Sequence, residues 1–345
     1  MTTDAQIKTE KLFIDSLVSR SIEAKKISTG TIEDITRLTG DASSRRYYRV
    51  FRQKDCFVVC LQQPSENKTD DFLNIQSIYE KNNIRVPKIF DYDLSKGYLL
   101  EEDLGDITLL KELSGLGSQK EELKQYNLAL ESLFKIQSIK RDDYVNESFT
   151  KRYFDIDKLM WEVEFTVKHL IEGFLKADVG PTEKKVIING FRKICKKLTE
   201  QKMVVTHRDF HSRNIMSSQG EQIIIDFQDT RIGLPQYDLV SLLEDCYYKI
   251  SPKNKMTLKE QYWTEFVKKK SLQESEEEYL YLYELMTIQR TFKALGSFGY
   301  IYALRGDSRY LKYIGYSFEK LRNLLFNYEE FSNLRKVLSE YYYES

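Results

Sequence analysis

The segment Val205-Thr206-His207-Arg208-Asp209-Phe210-His211-Ser212-Arg213-Asn214 sets a loop of acids, bases and an amide between two apolar runs, Met203-Val204-Val205 and Ile215-Met216, that read as short strands. Twelve residues beyond Asn214 comes Asp226, where a third apolar run, Ile223-Ile224-Ile225, ends in Asp226-Phe227-Gln228-Asp229. A charged surface loop would explain the first half, and a buried strand that happens to end in Asp would explain the second. Together they call for a fold that holds a polar loop among strands and delivers a second acid at a strand end.

The flanking chain divides by periodicity. Residues 8–24 carry apolar side chains at helical spacing, after which 32–38, 47–51 and 57–61 are short β-prone runs that predict a small antiparallel sheet. Residues 70–82 place Phe72, Ile75, Ile78 and Tyr79 on one helical face, and Val86-Pro87 opens further strands at 88–92 and 97–101. From Gln119 onward long amphipathic stretches dominate, at 123–139, 156–175, 182–198, 237–248, 258–269 and 276–304, with a solvated helix start over 271–278. The expected fold class is α+β and two-lobed. Residues 1–104 form a small antiparallel-sheet lobe with an N-terminal helix, and 105–345 a mostly helical lobe in which the polar loop is embedded. A chain of 345 residues has material for a core in each.

The residue types in the loop suit phosphoryl transfer. Asp209 is placed to accept the proton of an attacking hydroxyl, while Asn214 and Asp226 offer oxygens to Mg2+, which needs few protein ligands because phosphates and waters complete its octahedron. His207 and His211 are four apart, but in a loop they do not share a helical face, and His169 is remote in sequence, so zinc is disfavoured. His207 reads as a packing or hydrogen-bonding residue; for His211 a satisfied structural role is favoured over an approach to substrate or phosphate. Upstream, Thr39-Gly40-Asp41-Ala42-Ser43-Ser44-Arg45-Arg46, with Arg49 beyond, is a candidate phosphate clamp, because small residues let backbone amides approach and arginine adds a forked contact. The same pattern makes an ordinary hairpin turn.

Leu99-Leu100-Glu101-Glu102-Asp103-Leu104-Gly105 fits a hinge whose backbone would pair with adenine, or simply a strand end. Asp229 either reaches substrate hydroxyls or caps a turn. Arg290 and Lys293 lie three apart on one helical face, as snorkelling cations or as substrate contacts, and Arg213 joins them as an acceptor-side candidate. Asp238 enters a predicted helix and can cap it.

Lys plus Arg and Asp plus Glu are both 53, so no overall field favours nucleic acid or an anionic membrane as partner. The first residues lack an export signal and no apolar run approaches the roughly 20 residues that span a bilayer, which predicts a cytoplasmic protein. Cys56, Cys60, Cys195 and Cys246 contain no Cys-x-x-Cys and sit among apolar neighbours, as thiols in a reducing compartment do. The 24 tyrosines, Tyr341-Tyr342-Tyr343 included, read mostly as helix-packing aromatics.

Nearly the whole chain resembles the aminoglycoside phosphotransferase and choline kinase family, small-molecule kinases with a protein-kinase-like fold. Within it, residues 38–49, 207–214, 226–243 and 289–299 look like those of bacterial anomeric kinases of N-acetylmuramate and N-acetylglucosamine, the last segment (Gln289-Arg290-Thr291-Phe292-Lys293-Ala294-Leu295-Gly296-Ser297-Phe298-Gly299) being the most discriminating. The resemblance implies transfer of the ATP γ-phosphate to the anomeric hydroxyl of an amino sugar, with Mg2+ as cofactor and Asp209, Asn214 and Asp226 as catalytic and metal positions. It also implies a role for Asp238 in bracing the loop, and a product that a downstream uridylyltransferase would use. The strand that usually presents a phosphate-binding lysine reads Val58-Val59-Cys60-Leu61-Gln62, without lysine, and Asp226 is followed by Phe-Gln rather than Phe-Gly. Both depart from protein kinases, and Arg45, Arg46 or Arg49 is expected to supply the missing charge. The other readings are a kinase of choline, an aminoglycoside or another sugar, and a pseudokinase that binds nucleotide without catalysis.

Overall fold

The computed structural model describes residues 4–38, 45–65 and 70–343. They form two compact units, Met1–Ile107 with Met216–Gln228, and Thr108–Ile215 with Asp229–Ser345.

In the first unit, helix α1 (Asp4–Glu23) precedes strands β1 (Ile32–Arg37), β2 (Arg46–Arg52) and β3 (Cys56–Leu61), then helix α2 (Asp71–Lys81) and strands β4 (Ile89–Asp93) and β5 (Tyr98–Glu102). The strands form one sheet in the order β1-β2-β3-β5-β4, with every pairing antiparallel. Because side chains alternate across a strand, Tyr48, Val50, Val59, Leu61, Tyr98 and Leu100 share one face, where they pack with Ile14, Leu17 and Val18 of α1 in one core. The other face carries Tyr47, Arg49, Val58, Cys60 and Glu101, with Arg49 opposite Val58 and Val58 opposite Glu101. Helix α2 starts where Asp70 accepts the backbone N–H groups of Phe72 (2.9 Å) and Leu73 (3.3 Å), as an N-cap should. The segment Met216–Gln228 joins this unit through backbone bonds from Ser217 to Ile107 (2.7 Å) and from Ile224 to Arg85 (2.8 Å).

The second unit is helical: α3 (Leu109–Ser114), α4 (Gln119–Gln137), α5 (Ile156–Thr166), α6 (Pro181–Thr199), α7 (Gln236–Leu243), α8 (Pro252–Tyr262), α9 (Glu276–Arg305), α10 (Ile314–Phe326) and α11 (Ser332–Tyr343), with a two-stranded pair, Val204–Thr206 against Arg231–Gly233. Two helices predicted as continuous change pitch: α5 passes into a π-helix at Val167–Phe174, and α8 into one at Trp263–Val267. The helix expected over 237–248 stops at Leu243, and just beyond it Asp245 accepts the backbone N–H of Tyr247 at 2.9 Å. Helices α10 and α11 were not anticipated.

Helix α9, 30 residues long, is the spine of this unit. Ser275 caps its first turn, where Glu276, Glu277 and Glu278 complement the helix dipole, and Gly306 ends it in the left-handed region at φ 64°. A Cβ on Gly296 would lie 2.7 Å from Thr166 Cα, and one on Gly299 2.7 Å from the His169 carbonyl oxygen. These two glycines therefore let α9 press directly on α5 and its π-helical continuation, and the Thr166 hydroxyl donates to the Phe292 carbonyl at 3.1 Å across the contact. Among the described residues no helix is long and apolar enough to cross a membrane.

Candidate active site

The polar loop is held from beneath by one buried carboxylate. Asp238, fully buried in the first turn of α7, accepts the backbone N–H groups of His207 (2.7 Å) and Arg208 (3.0 Å). It braces the loop and does not cap its own helix. Burial pushes its carboxyl up to about 7, against the opposing pull of those two N–H groups and of Arg290. The loop turns sharply at Arg208, a non-glycine residue at φ 88°, and its guanidinium is anchored by Asp229. Asp229 is thus the ion-pair partner of Arg208, with Arg231 3.7 Å away, and is absent from the lining of the cavity described below.

Asp209 faces a cavity of about 210 Å3 within the second unit. Lys293 brings its Nζ to 3.4 Å from Oδ1, and Arg208 its Nε to 3.5 Å from Oδ2. Burial works against the charged carboxylate, but Lys293, Arg208, Arg290 and His211 together hold it well below the ordinary range. Asn214 donates its side-chain N–H to the Asp209 carbonyl at 2.9 Å, so the atom of that amide suited to a hard cation is its oxygen.

Arg290 and Lys293 of α9 are not snorkelling. Arg290 stacks over the Tyr237 ring at 4.2 Å and donates to the Arg208 carbonyl at 3.2 Å, while the Lys293 side chain is only 19% exposed and points at Asp209. His211 also differs from its expected satisfied role. It lines the same cavity, edge-on to Tyr247, and its buried Nδ1 has no hydrogen-bond partner among the described residues. Burial lowers its pKa, with Asp245 and Asp209 pulling the other way. Arg213 lies outside the lining; it stacks on Tyr247 (4.9 Å) and Tyr310 and donates to the Tyr310 hydroxyl at 3.0 Å. His207 is fully buried, edge-on to Phe210.

Sequence reasoning missed the residues just past α7. Asp245 accepts the backbone N–H and the hydroxyl of Ser212, tying the far end of the loop, and Glu244, Asp245 and Tyr247 line the cavity with Ser297, Phe298 and Lys320. The signal was present in the adjacent acids Glu244-Asp245, which directly follow a helix buried along its whole length.

The first unit holds the remaining candidates. Asp226, at φ 63°, accepts from the Gln228 side chain at 2.7 Å, and the next residue, Phe227, stacks on Phe72 of α2 with centroids 4.9 Å apart. Gly40, Asp41, Ser43 and Ser44 lie outside the described residues. The three arginines separate. Arg46 pairs with Glu10 of α1 at 2.9 Å, on the face that α1 covers. Arg49 is tied to Asp103 (2.8 Å) and Asp106 (3.0 Å). Arg45 lies over the Phe72 ring at 5.1 Å, in the field of Cys60, Asp70 and Tyr47. Glu101, buried on that same face, has its carboxyl pushed up to about 7 by burial, with Arg45 pulling the other way.

Three comparisons with known proteins bear on this arrangement. The family model described as "Phosphotransferase enzyme family" matches residues 34–266. A protein of Neisseria meningitidis serogroup B named N-acetylmuramate/N-acetylglucosamine kinase is 27% identical over 89% of this chain and 90% of its own. One of the same name from Pseudomonas aeruginosa is 26% identical over 98% of both chains. Among solved structures, choline kinase LicA from Streptococcus pneumoniae superposes with a TM-score of 0.60 at 14% identity, covering 90% of this chain and 99% of that one. ADP-bound aminoglycoside phosphotransferase APH(2'')-Ib gives 0.55 at 15% identity, covering 94% and 98%. The fold is the protein-kinase-like fold of these phosphotransferases.

Proposed function

Because the chain belongs to the phosphotransferase enzyme family, and so phosphorylates an alcohol acceptor, we propose that it transfers the γ-phosphate of ATP to the anomeric hydroxyl of N-acetylmuramate or N-acetylglucosamine. The observation that carries this reading is the position of Lys293. It belongs to the Gln289–Gly299 stretch that looked most like the anomeric kinases, and it meets Asp209 in the lining of one cavity.

In this reading the acceptor occupies the cavity with its hydroxyl against Asp209. Asp209 accepts the hydroxyl's hydrogen bond, orients it, and takes its proton late, as the O–P bond to the acceptor forms and the bond between the γ-phosphate and ADP breaks. A loose phosphoryl-transfer transition state asks little more of a base, and an anomeric hydroxyl is more acidic than an ordinary alcohol. Lys293 and Arg290 supply positive charge at the reacting end. Asn214 and Asp226 present one amide and one carboxylate oxygen, a donor set that fits Mg2+, which would draw its other ligands from phosphate and water and neutralise charge on the phosphates. Arg45 is assigned the role of the missing lysine, since Arg46 lies on the α1 face and Arg49 is committed to two aspartates. ATP as donor places the reaction in the cytoplasm, and a sugar 1-phosphate calls for a uridylyltransferase to consume it.

The test is Mg2+-dependent ATP consumption with N-acetylmuramate, N-acetylglucosamine, choline and an aminoglycoside, with phosphorus NMR of the product. An anomeric phosphate on an amino sugar is expected. Turnover only with choline or an aminoglycoside overturns the acceptor, and ATP binding without turnover on any of them favours the pseudokinase.

A further inference from the structure

A second cavity, of about 560 Å3, lies in the same unit and shares two lining residues with the first, Glu244 and Lys320. The shared wall is a carboxylate with lysines around it. Glu244 receives Lys255 at 3.0 Å on each carboxylate oxygen, Lys320 at 3.2 Å and the Tyr283 hydroxyl at 2.9 Å, so one carboxylate is divided between two ammonium groups. Lys320 also donates to the Glu244 carbonyl at 3.0 Å, and its side chain is only 13% exposed. Farther into the second cavity stands Lys259, over the Tyr283 ring at 4.2 Å, which makes no ion pair among the described residues. Burial lowers its pKa, although Glu244 and Glu284 oppose that shift. Glu319 is matched by Arg322 at 3.0 Å, and Glu284 accepts the Tyr328 hydroxyl at 2.8 Å. With Glu319 taken by Arg322, three half-buried lysines, Lys255, Lys259 and Lys320, face two carboxylates, Glu244 and Glu284. The complement to such a surplus is a carboxylate carried by the ligand, with tyrosine faces and Asn323 to meet sugar hydroxyls.

Resting on the function proposed above, we propose that the second cavity is an acceptor subsite for the carboxylate-bearing substituent of an anionic sugar, and that Lys320 and Lys259 determine specificity for it. N-acetylmuramate differs from N-acetylglucosamine by a lactyl group, borne on a ring carbon other than the one that reacts. With the reacting end at Asp209, Lys320 stands where the first cavity abuts the second and can exchange part of its bond to Glu244 for that carboxylate. Arg290 and Lys293 are already engaged at the reacting end, so they are not the groups that read the substituent.

The experiment compares kcat/KM for the two sugars in the full chain and in Lys320→Met, Lys259→Met and Lys320→Arg. The ratio for N-acetylmuramate over N-acetylglucosamine should fall at least about ten-fold in both methionine variants, through KM, and recover in Lys320→Arg. Lys259→Met removes no ion pair and serves if Lys320→Met misfolds. A ratio unchanged in both methionine variants, or equal losses on both sugars, overturns the proposal while leaving the function standing. A wild-type chain that turns over neither sugar overturns both.

Discussion

Lys293 reaches Asp209 from 84 positions away in the chain, and the pair decides the electrostatics of the proposed reaction. Asp209→Ala should lower kcat by two to four powers of ten, roughly the worth of a positioned acid–base group, with ATP binding retained in a fluorescence titration. Lys293→Met should lower kcat by about ten- to a thousand-fold with little change in the ATP Michaelis constant, since the cation acts at the acceptor end. An unchanged kcat would remove it from the chemistry. At Glu101 the same arithmetic applies to stability. Its folded-state pKa of about 7 exceeds the ordinary 4.5, so the folded chain binds the extra proton. The stability linked to this group is complete below about pH 4.5 and is lost as pH rises through about 7. Glu101→Gln should therefore be more stable than wild type at pH 8, by on the order of 3 kcal/mol since the rise to about 7 already includes the opposing pull of Arg45, and alike at pH 4. Thermal denaturation at the two pH values checks it; a variant less stable at pH 8 would show that the Arg45 pairing outweighs the burial.

At the scale of the element, α9 both supplies the cations and sets where they stand. Gly296 and Gly299 belong to the same segment as Arg290 and Lys293, and their missing Cβ atoms are what allow the helix to close on Thr166 and His169. The segment therefore encodes a charge pattern together with the packing distance that aims it. In Gly296→Ala the added methyl would meet backbone, which cannot rotate away. The expected cost is about 1–3 kcal/mol of stability, with a fall in kcat as Lys293 is displaced from Asp209. Differential scanning calorimetry beside steady-state kinetics separates the two effects, and full activity at a wild-type Tm would refute the packing argument. Sheet pleat has a similar power in the first unit, where adjacent Arg45 and Arg46 acquire different neighbours. A one-residue shift of β2 would exchange them.

Across the whole molecule, the response to nucleotide tests Asn214 and Asp226 as the proposed metal ligands. ATP with Mg2+ should raise the Tm of the full chain, by about 2.7 kcal/mol of added stability at a hundred-fold excess over Kd. Asp226→Ala or Asn214→Ala alone should abolish the Mg2+-dependent part and leave the response to ATP alone. A Mg2+ effect that persists in either variant would take that residue out of the metal site.

What the sequence by itself determined was everything local. Alternation in 47–51 and 57–61, helical period in 70–82 and 276–304, and the compact run from His207 to Asp226 were legible because neighbours along the chain generate them. The antiparallel sheet, the helical second unit and Asp209, Asn214 and Asp226 as candidates could all be read from such runs. Only the tertiary structure decided that Asp229 anchors Arg208, that His211 and Lys293 face the cavity while Arg213 does not, and that Glu244, Asp245 and Lys320 line it. These relations join residues far apart in the chain, through helix contacts whose register depends on where a methyl is missing and a carboxylate is buried, and one-dimensional periodicity carries no record of that register.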